Sequence, residues 1–294
     1  MEYRTFGRTS QAVSALGFGG GPAGVPNYLV RWDSSAEQNQ RQIERAVRRA
    51  LERGITYFDT APGYGGGISE EVIGRALGAD RHRVFLATKT PASARTPDGI
   101  RSSLERSLAL LRTDYVDLLQ FHGSWYNHQD VTQILDQGGL ETYQRLREEG
   151  RIRFLGFTSE GPGGPIEHLI DSDGFDALLI CFNFIYQSPG AYRNRDLPQQ
   201  TILSQARARG MGTATMRTLT SAIFQRWIRA VAPGVADQVD WNAALLAFNL
   251  SHPQVDVAVI GMRSEEEVNR NVDCVESNAY RVDLGELHGE FVTG

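Results

Sequence analysis

The sequence predicts an α/β protein, a (β/α)8 barrel with a short N-terminal β-hairpin. Three observations point there. Eight short apolar runs alternate with longer segments of helical period. The runs are rich in Val, Ile, Leu and Phe without strict alternation, which fits strands covered on both faces. Glycines follow four of the helical segments, at Gly54, Gly78, Gly150 and Gly210, where a left-handed residue commonly ends a helix. Eight strand–helix units within 294 residues close most simply as a barrel. An open doubly wound sheet is the competing architecture.

The first stretch, Tyr3-Arg4-Thr5-Phe6, Gly7-Arg8-Thr9 and then Val13, reads as a small hairpin that could plug the N-terminal end of the barrel. Strands are expected at Ala15–Gly19, Thr56–Thr60, Val84–Lys89, Val116–His122, Phe154–Thr158, Ala177–Asn183, Gly212–Met216 and Val255–Gly261. Between them, helices are expected at Gln38–Arg53, Glu70–Leu77, Pro97–Leu111, Val131–Glu149, Pro165–Ser172 and Gln199–Arg209. A longer region then runs through Trp241–Leu250, and a last helix covers Glu265–Cys274. Ser69, followed by Glu70 and Glu71, suits a helix N-terminus. No linker or break in composition divides the chain, so residues 1–294 are expected to form a single domain.

The bulk numbers exclude several classes. A content of 41% hydrophobic residues supports a large core, and a net charge of −5 gives no footprint for nucleic acid or an anionic membrane. No apolar run approaches the roughly 18 residues that span a bilayer. The two cysteines, Cys181 and Cys274, imply no disulfide framework and no metal site. Cys181 lies in an apolar run and reads as a small buried hydrophobe. The start, Met1-Glu2-Tyr3-Arg4, lacks the regions of a signal peptide, so a cytoplasmic location is expected. The sequence carries no signal for oligomeric state.

Gly19-Gly20-Gly21-Pro22-Ala23-Gly24 formally matches GxGxxG after a strand. It runs on into Val25-Pro26-Asn27-Tyr28, which is not a helical pattern, and no strand ending in an acid follows at dinucleotide-fold spacing. The expected reading is a flexible first βα loop whose glycines let backbone approach a ligand.

The chemistry gathers at the ends of three successive strands. Asp59, Lys89 and His122 close those runs, and Tyr64 follows the first in the turn Pro62-Gly63-Tyr64-Gly65-Gly66-Gly67. In a barrel all four converge on the C-terminal mouth. Each alone has a structural reading: a loop cap, a solvated strand end, a loop aromatic, a core histidine. Together they make a proton-transfer site. A phenol with a pKa of about 10 is a reluctant acid. A nearby ammonium stabilises the phenolate, and a carboxylate keeps that ammonium charged and oriented. An imidazole can hydrogen-bond a carbonyl oxygen that gains charge as hydride arrives.

On these residues the sequence resembles the aldo-keto reductases, and the resemblance covers nearly the whole chain. The specific pieces are Phe58-Asp59-Thr60-Ala61 with Tyr64-Gly65, Ala87-Thr88-Lys89 and Asp117-Leu118-Leu119-Gln120-Phe121-His122. Leu155-Gly156-Phe157-Thr158-Ser159 and Val259-Ile260-Gly261 leading to Asn271 complete it. The family implies a (β/α)8 barrel that binds an extended nicotinamide cofactor and reduces an aldehyde or ketone. Tyr64 would be the general acid, Lys89 and Asp59 its tuning pair, and His122 the group orienting the carbonyl.

The resemblance also assigns cofactor positions. Thr158 and Ser159 stand where the family holds the nicotinamide amide, usually with Ser-Asn. The family's strand-six glutamine corresponds to Leu179, and its nicotinamide-stacking tyrosine to Met216. Arg217 could reach the pyrophosphate, and Gly20 and Gly21 the backbone side of the ligand. Gly261, Arg263, Ser264, Glu267, Arg270 and Asn271 would take the adenosine phosphate at a helix N-terminus, which favours NADPH over NADH. Arg263 and Arg270 could equally be solvated face charges. Tyr28, Trp32, Trp125 and Tyr126 would form an aromatic rim for a small apolar or cyclic carbonyl substrate, or anchor loops.

Other functions stay in view. A nicotinamide-binding regulatory protein of the same fold with little turnover would also carry these motifs. A Schiff-base aldolase would use Lys89 as nucleophile, but Asp59 would push that lysine's pKa the wrong way. A metal hydrolase would need ligands that His122 and His128 do not supply.

Overall fold

The structure is a computed structural model that describes residues 1–281 apart from 162, 188 and 190–200. Strands β1 (Tyr3–Thr5) and β2 (Ala12–Ser14) pair antiparallel as the expected hairpin. Phe6 at its turn is fully buried, 5.5 Å from the rings of both Tyr57 and Phe85, so the hairpin closes the lower end of the barrel. Gly7 makes this possible: a Cβ there would lie 2.1 Å from the Gly212 nitrogen, and its φ is +47°.

Eight strands follow: β3 (Leu16–Gly19), β4 (Tyr57–Asp59), β5 (Phe85–Thr90), β6 (Val116–Phe121), β7 (Ile152–Ser159), β8 (Ala177–Cys181), β9 (Gly212–Met216) and β10 (Val257–Gly261). They form a closed parallel barrel in chain order, with β10 returning to β3. All eight fall on the predicted runs. Both faces are buried because helices cover the outside and side chains fill the inside.

The helices are α1 (Gly21–Gly24), α2 (Glu37–Glu52), α3 (Ile68–Leu77), α4 (Pro97–Leu111), α5 (His128–Leu135) and α6 (Gly139–Glu148). Then come α7 (Gly164–Asp171), α8 (Ile202–Ala208), α9 (Ile223–Val231), α10 (Pro233–Ala236), α11 (Trp241–Ser251) and α12 (Glu265–Ser277).

Several expectations change. The single helix expected over Val131–Glu149 is two, because Gly138 takes φ +87° and starts α6 afresh. Asn127 and Asp130 form a reciprocal cap that starts α5 earlier. The long region before Trp241 is broken by Pro233 and again by Asp240, whose carboxylate caps α11. Ser69 lies inside α3, and its hydroxyl donates instead to the Gly20 carbonyl at 2.8 Å. The glycine stretch after β3 forms the single turn α1 rather than a flexible loop. Two residues of the helix expected over Gln199–Arg209 lie outside the described residues, and Thr201 caps the remainder.

Candidate active site

Successive side chains on a strand point to opposite faces, so every second residue enters the barrel. The lower inward layers are apolar: Phe6, Tyr57, Phe85, Leu118, Ala177, Ala214 and Val257 form one interior cluster. Further up, the inward positions become Asp59 on β4, Lys89 on β5, Gln120 on β6 and Met216 on β9, while Leu179 on β8 and Val259 on β10 stay apolar. The apolar layers below close the cavity away from water, and the charged layer faces the C-terminal mouth.

There Asp59, Tyr64, Lys89 and His122 face one cavity of about 370 Å³. Lys89 is 1% exposed and is the only lysine of the chain. Its ammonium donates to Asp59 Oδ1 at 2.5 Å and to the Thr60 carbonyl at 2.6 Å. The second Asp59 oxygen accepts from the Gln120 amide at 3.0 Å. Lys89 Nζ also lies 5.0 Å from the centre of the Tyr64 ring, and the Tyr64 and His122 rings meet edge-on at 6.0 Å.

The turn carrying Tyr64 is fixed by a close backbone approach. A Cβ on Gly24 would lie 2.0 Å from the Tyr64 carbonyl oxygen, so α1 can press against the turn only as glycine. The His122 backbone extends the ladder by donating to Thr90 at 2.9 Å.

Burial lowers the Lys89 pKa, but the Asp59 carboxylate and the Tyr64 phenol outweigh it, and the lysine stands above its usual value. For Tyr64, burial raises the pKa and the Lys89 ammonium lowers it without cancelling. The sequence reading stressed the ammonium; desolvation wins, and the phenol is held protonated at neutral pH. Burial first, then the Lys89 and Arg95 cations, push His122 down to about 3. Its imidazole is therefore neutral.

The other expected positions divide. Gly21, Tyr28, Thr158, Met216, Arg217 and Gly261 line the cavity with the four, over Leu179 and Val259. Gly20 does not line it; a Cβ there would meet Ser69 Oγ at 2.6 Å, so this glycine serves packing. The Thr158 hydroxyl donates to the Gly123 carbonyl at 3.0 Å. Ser159 is fully buried and its hydroxyl donates to the Gly161 carbonyl at 2.7 Å. Both hydroxyls thus tie down the neighbouring loops.

At the start of α12, Ser264 caps the helix. The Glu267 carboxylate takes the Arg263 backbone N–H at 2.6 Å and the Arg263 guanidinium at 3.0 Å. Asn271 is buried on this helix, whereas Arg270 is exposed and turns to Asp240 at 3.3 Å.

Of the four rim aromatics, only Tyr28 reaches the catalytic cavity. Tyr126 is buried, with its hydroxyl on the Phe121 carbonyl at 3.0 Å and the Arg95 guanidinium over its ring. That removes it from the rim. Trp32 anchors its loop by donating to the Pro22 carbonyl at 2.9 Å. Trp125 is 68% exposed and lines an adjoining pocket of about 290 Å³ with Cys181, Ile185 and Ile223.

Two residues at the mouth, Glu160 and Gln120, escaped the sequence reading. Glu160 and Arg217 form an ion pair of 2.8 Å between the two pockets. Gln120 lies two residues before His122 and so shares its inward face, a signal the alternation alone could have supplied. Among the described residues no cluster of His, Cys, Asp or Glu could hold a metal ion, and no helix is long and apolar enough to cross a membrane.

The chain can be set beside the known proteins it is similar to. The model of the Aldo/keto reductase family matches residues 15–283, and the chain belongs to that family of oxidoreductases. L-galactose dehydrogenase of Arabidopsis thaliana is 26% identical, over 94% of this chain and 88% of its own. Pyridoxal 4-dehydrogenase of Microbacterium luteolum is 25% identical over 94% of each chain. Among solved structures, an aldo/keto reductase from Klebsiella pneumoniae in complex with NADP and acetate superposes with a TM-score of 0.75. It covers 98% of this chain and 93% of its own at 21% identity, a likeness of fold.

Proposed function

We propose that the protein reduces an aldehyde or ketone to an alcohol with NADPH, through Asp59, Tyr64, Lys89 and His122. One observation carries the reading: a buried Lys89–Asp59 pair and a neutral His122 flank the Tyr64 phenol at one cavity.

A reduced nicotinamide supplies the hydride when bound. Tyr64 donates its proton to the carbonyl oxygen, and the Lys89 ammonium stabilises the phenolate left behind. Asp59 keeps that ammonium charged and aimed. Neutral His122 donates its ring N–H to the same oxygen and orients the carbonyl without competing for the proton.

The residues present fit such a cofactor. Leu179, Met216 and Val259 offer an apolar floor for a planar ring, beside Thr158, while Ser159 lies buried behind the lining. Arg217 stands at the rim. Arg263 already holds an anion, the Glu267 carboxylate, at the N-terminus of α12. That arrangement, with Ser264 and Asn271 beside it, supports a phosphate site once Glu267 yields Arg263, and hence NADPH over NADH.

The lining carries polar groups, Ser124, Glu160, Arg217 and Ser221, alongside the apolar Pro22, Val25 and Leu29. We read this as favouring a hydroxyl-bearing carbonyl over the apolar one expected from an aromatic rim. Relatives named for L-galactose and pyridoxal agree with it.

The test is a NADPH titration followed by a panel of carbonyls. Tyr64→Phe is expected to lose roughly 100-fold or more in turnover while its NADPH affinity stays within about twofold. Near-normal turnover in that variant sinks the assignment. Tight cofactor binding with no turnover on any carbonyl points to the regulatory alternative.

A further inference from the structure

We infer that Gln120 is a positioning residue for this site, holding the Asp59 carboxylate in the one orientation that aims Lys89 at Tyr64. The inference rests on the carbonyl-reductase reading of the same cavity.

Asp59 has two oxygens and a different partner on each: Lys89 at 2.5 Å on Oδ1 and the Gln120 amide at 3.0 Å on Oδ2. Without the second contact the carboxylate is free to turn about its own axis. Lys89 and Gln120 are register partners across β5 and β6, so the backbone ladder fixes their spacing. On the other side Gln120 pairs with Gly156 of β7. A Cβ on Gly156 would lie 3.3 Å from the Gln120 Cγ, so the glycine leaves room for the glutamine stem.

Gln120 is fully buried, and its Oε1 has no partner among the described residues. A buried amide with an unmade acceptor is costly. A residue that merely filled the barrel would be apolar, as Leu118, Ala177 and Ala214 are. The amide nitrogen makes its hydrogen bond to Asp59, and that bond is the use for the polarity.

The charged groups at this position are Asp59 from β4, which it bonds, and Lys89 from β5, its register partner, and Tyr64 and His122 line the same cavity as those two. Gly156, from β7, brings none. A carboxyl introduced by Gln120→Glu therefore meets the Asp59 carboxylate first. While protonated it can donate to Oδ2 as the amide does. Once ionised it repels Asp59.

Two variants test this, with kcat, NADPH affinity and thermal unfolding read on each. Gln120→Met is expected to fold, bind NADPH as the parent does and lose about 10-fold in kcat, the worth of one hydrogen bond to a charged group. Gln120→Glu is expected to keep parent-like kcat at low pH and lose it as pH rises, a descending limb that the parent lacks. A folded Gln120→Met with kcat within about twofold of the parent, or a Gln120→Glu pH profile matching the parent's, overturns the inference.

A second readout does not need turnover. Because Lys89 is the only lysine, protein labelled with 15N-lysine has one side-chain ammonium signal. Its protons are expected to exchange several-fold faster in Gln120→Met. An unchanged exchange rate overturns the positioning role even if no carbonyl is ever reduced, while changed exchange with no turnover in the parent faults only the reductase reading.

Discussion

The neutral imidazole of His122 leads to a prediction that can be sized. In the unfolded chain a histidine titrates near its ordinary value of about 6.5, whereas in the folded protein burial, Lys89 and Arg95 hold it at about 3. Between those values the unfolded state binds a proton that the folded state refuses. Stability therefore falls as pH drops through this window, and the contribution is fully present only above the unfolded pKa. At pH of about 5 the unfolded group is about 1.5 units below its pKa and the folded group is still neutral. At 1.36 kcal/mol per unit the loss relative to neutral pH is about 2 kcal/mol. The figure does not change if the folded value lies a unit higher, because the folded group remains neutral at pH of about 5. Urea unfolding of the parent and of His122→Asn, at both pH values, isolates the term, since every other titrating group is common to the pair. The parent should lose about 2 kcal/mol more than the variant on acidification. Equal pH dependence in the two proteins would refute the neutral imidazole, and with it the reading of His122 as a donor that cannot take the Tyr64 proton.

Other perturbations have equally definite outcomes. Lys89→Met leaves the Asp59 carboxylate buried without its cation, which should cost about 3–5 kcal/mol and abolish turnover; adding Asp59→Asn should recover stability by urea unfolding but not activity. Arg263→Ala should weaken NADPH more than NADH, and Glu267→Gln should tighten NADPH because it frees the Arg263 guanidinium. Equal effects on both cofactors in a fluorescence titration would remove the phosphate role from this helix start.

The strands and the four mouth residues were legible because they rest on short-range rules. Asp59, Lys89 and His122 close apolar runs, and a parallel barrel turns all strand ends to one side. The glycines after helices were legible for the same reason: all four of Gly54, Gly78, Gly150 and Gly210 have positive φ. Several of the failures depended on partners distant in sequence. Trp125 and Tyr126 are neighbours, yet one is exposed and the other is locked under Arg95, a residue about thirty positions earlier. Ser69 looked like a helix cap until Gly20 claimed its hydroxyl. Glu267 gave no hint that it would hold Arg263, because the charges of a helix face do not declare which of them fold back. Gln120 was visible in the alternation but carried no charge, and so drew no attention.

For Tyr64 burial outweighs the Lys89 ammonium, so in the proposed reaction the phenol enters protonated. The ammonium matters afterwards. Held charged by Asp59 and almost wholly buried, Lys89 would be worth most at the moment a phenolate appears beside it. An exposed pair could not do this, because solvent would stabilise the phenolate in ground and transition states alike. The apolar layers of Tyr57, Phe85 and Leu118 beneath the site are thus part of the acid's tuning. They close the barrel beneath the Lys89–Asp59 pair, which is almost wholly out of solvent.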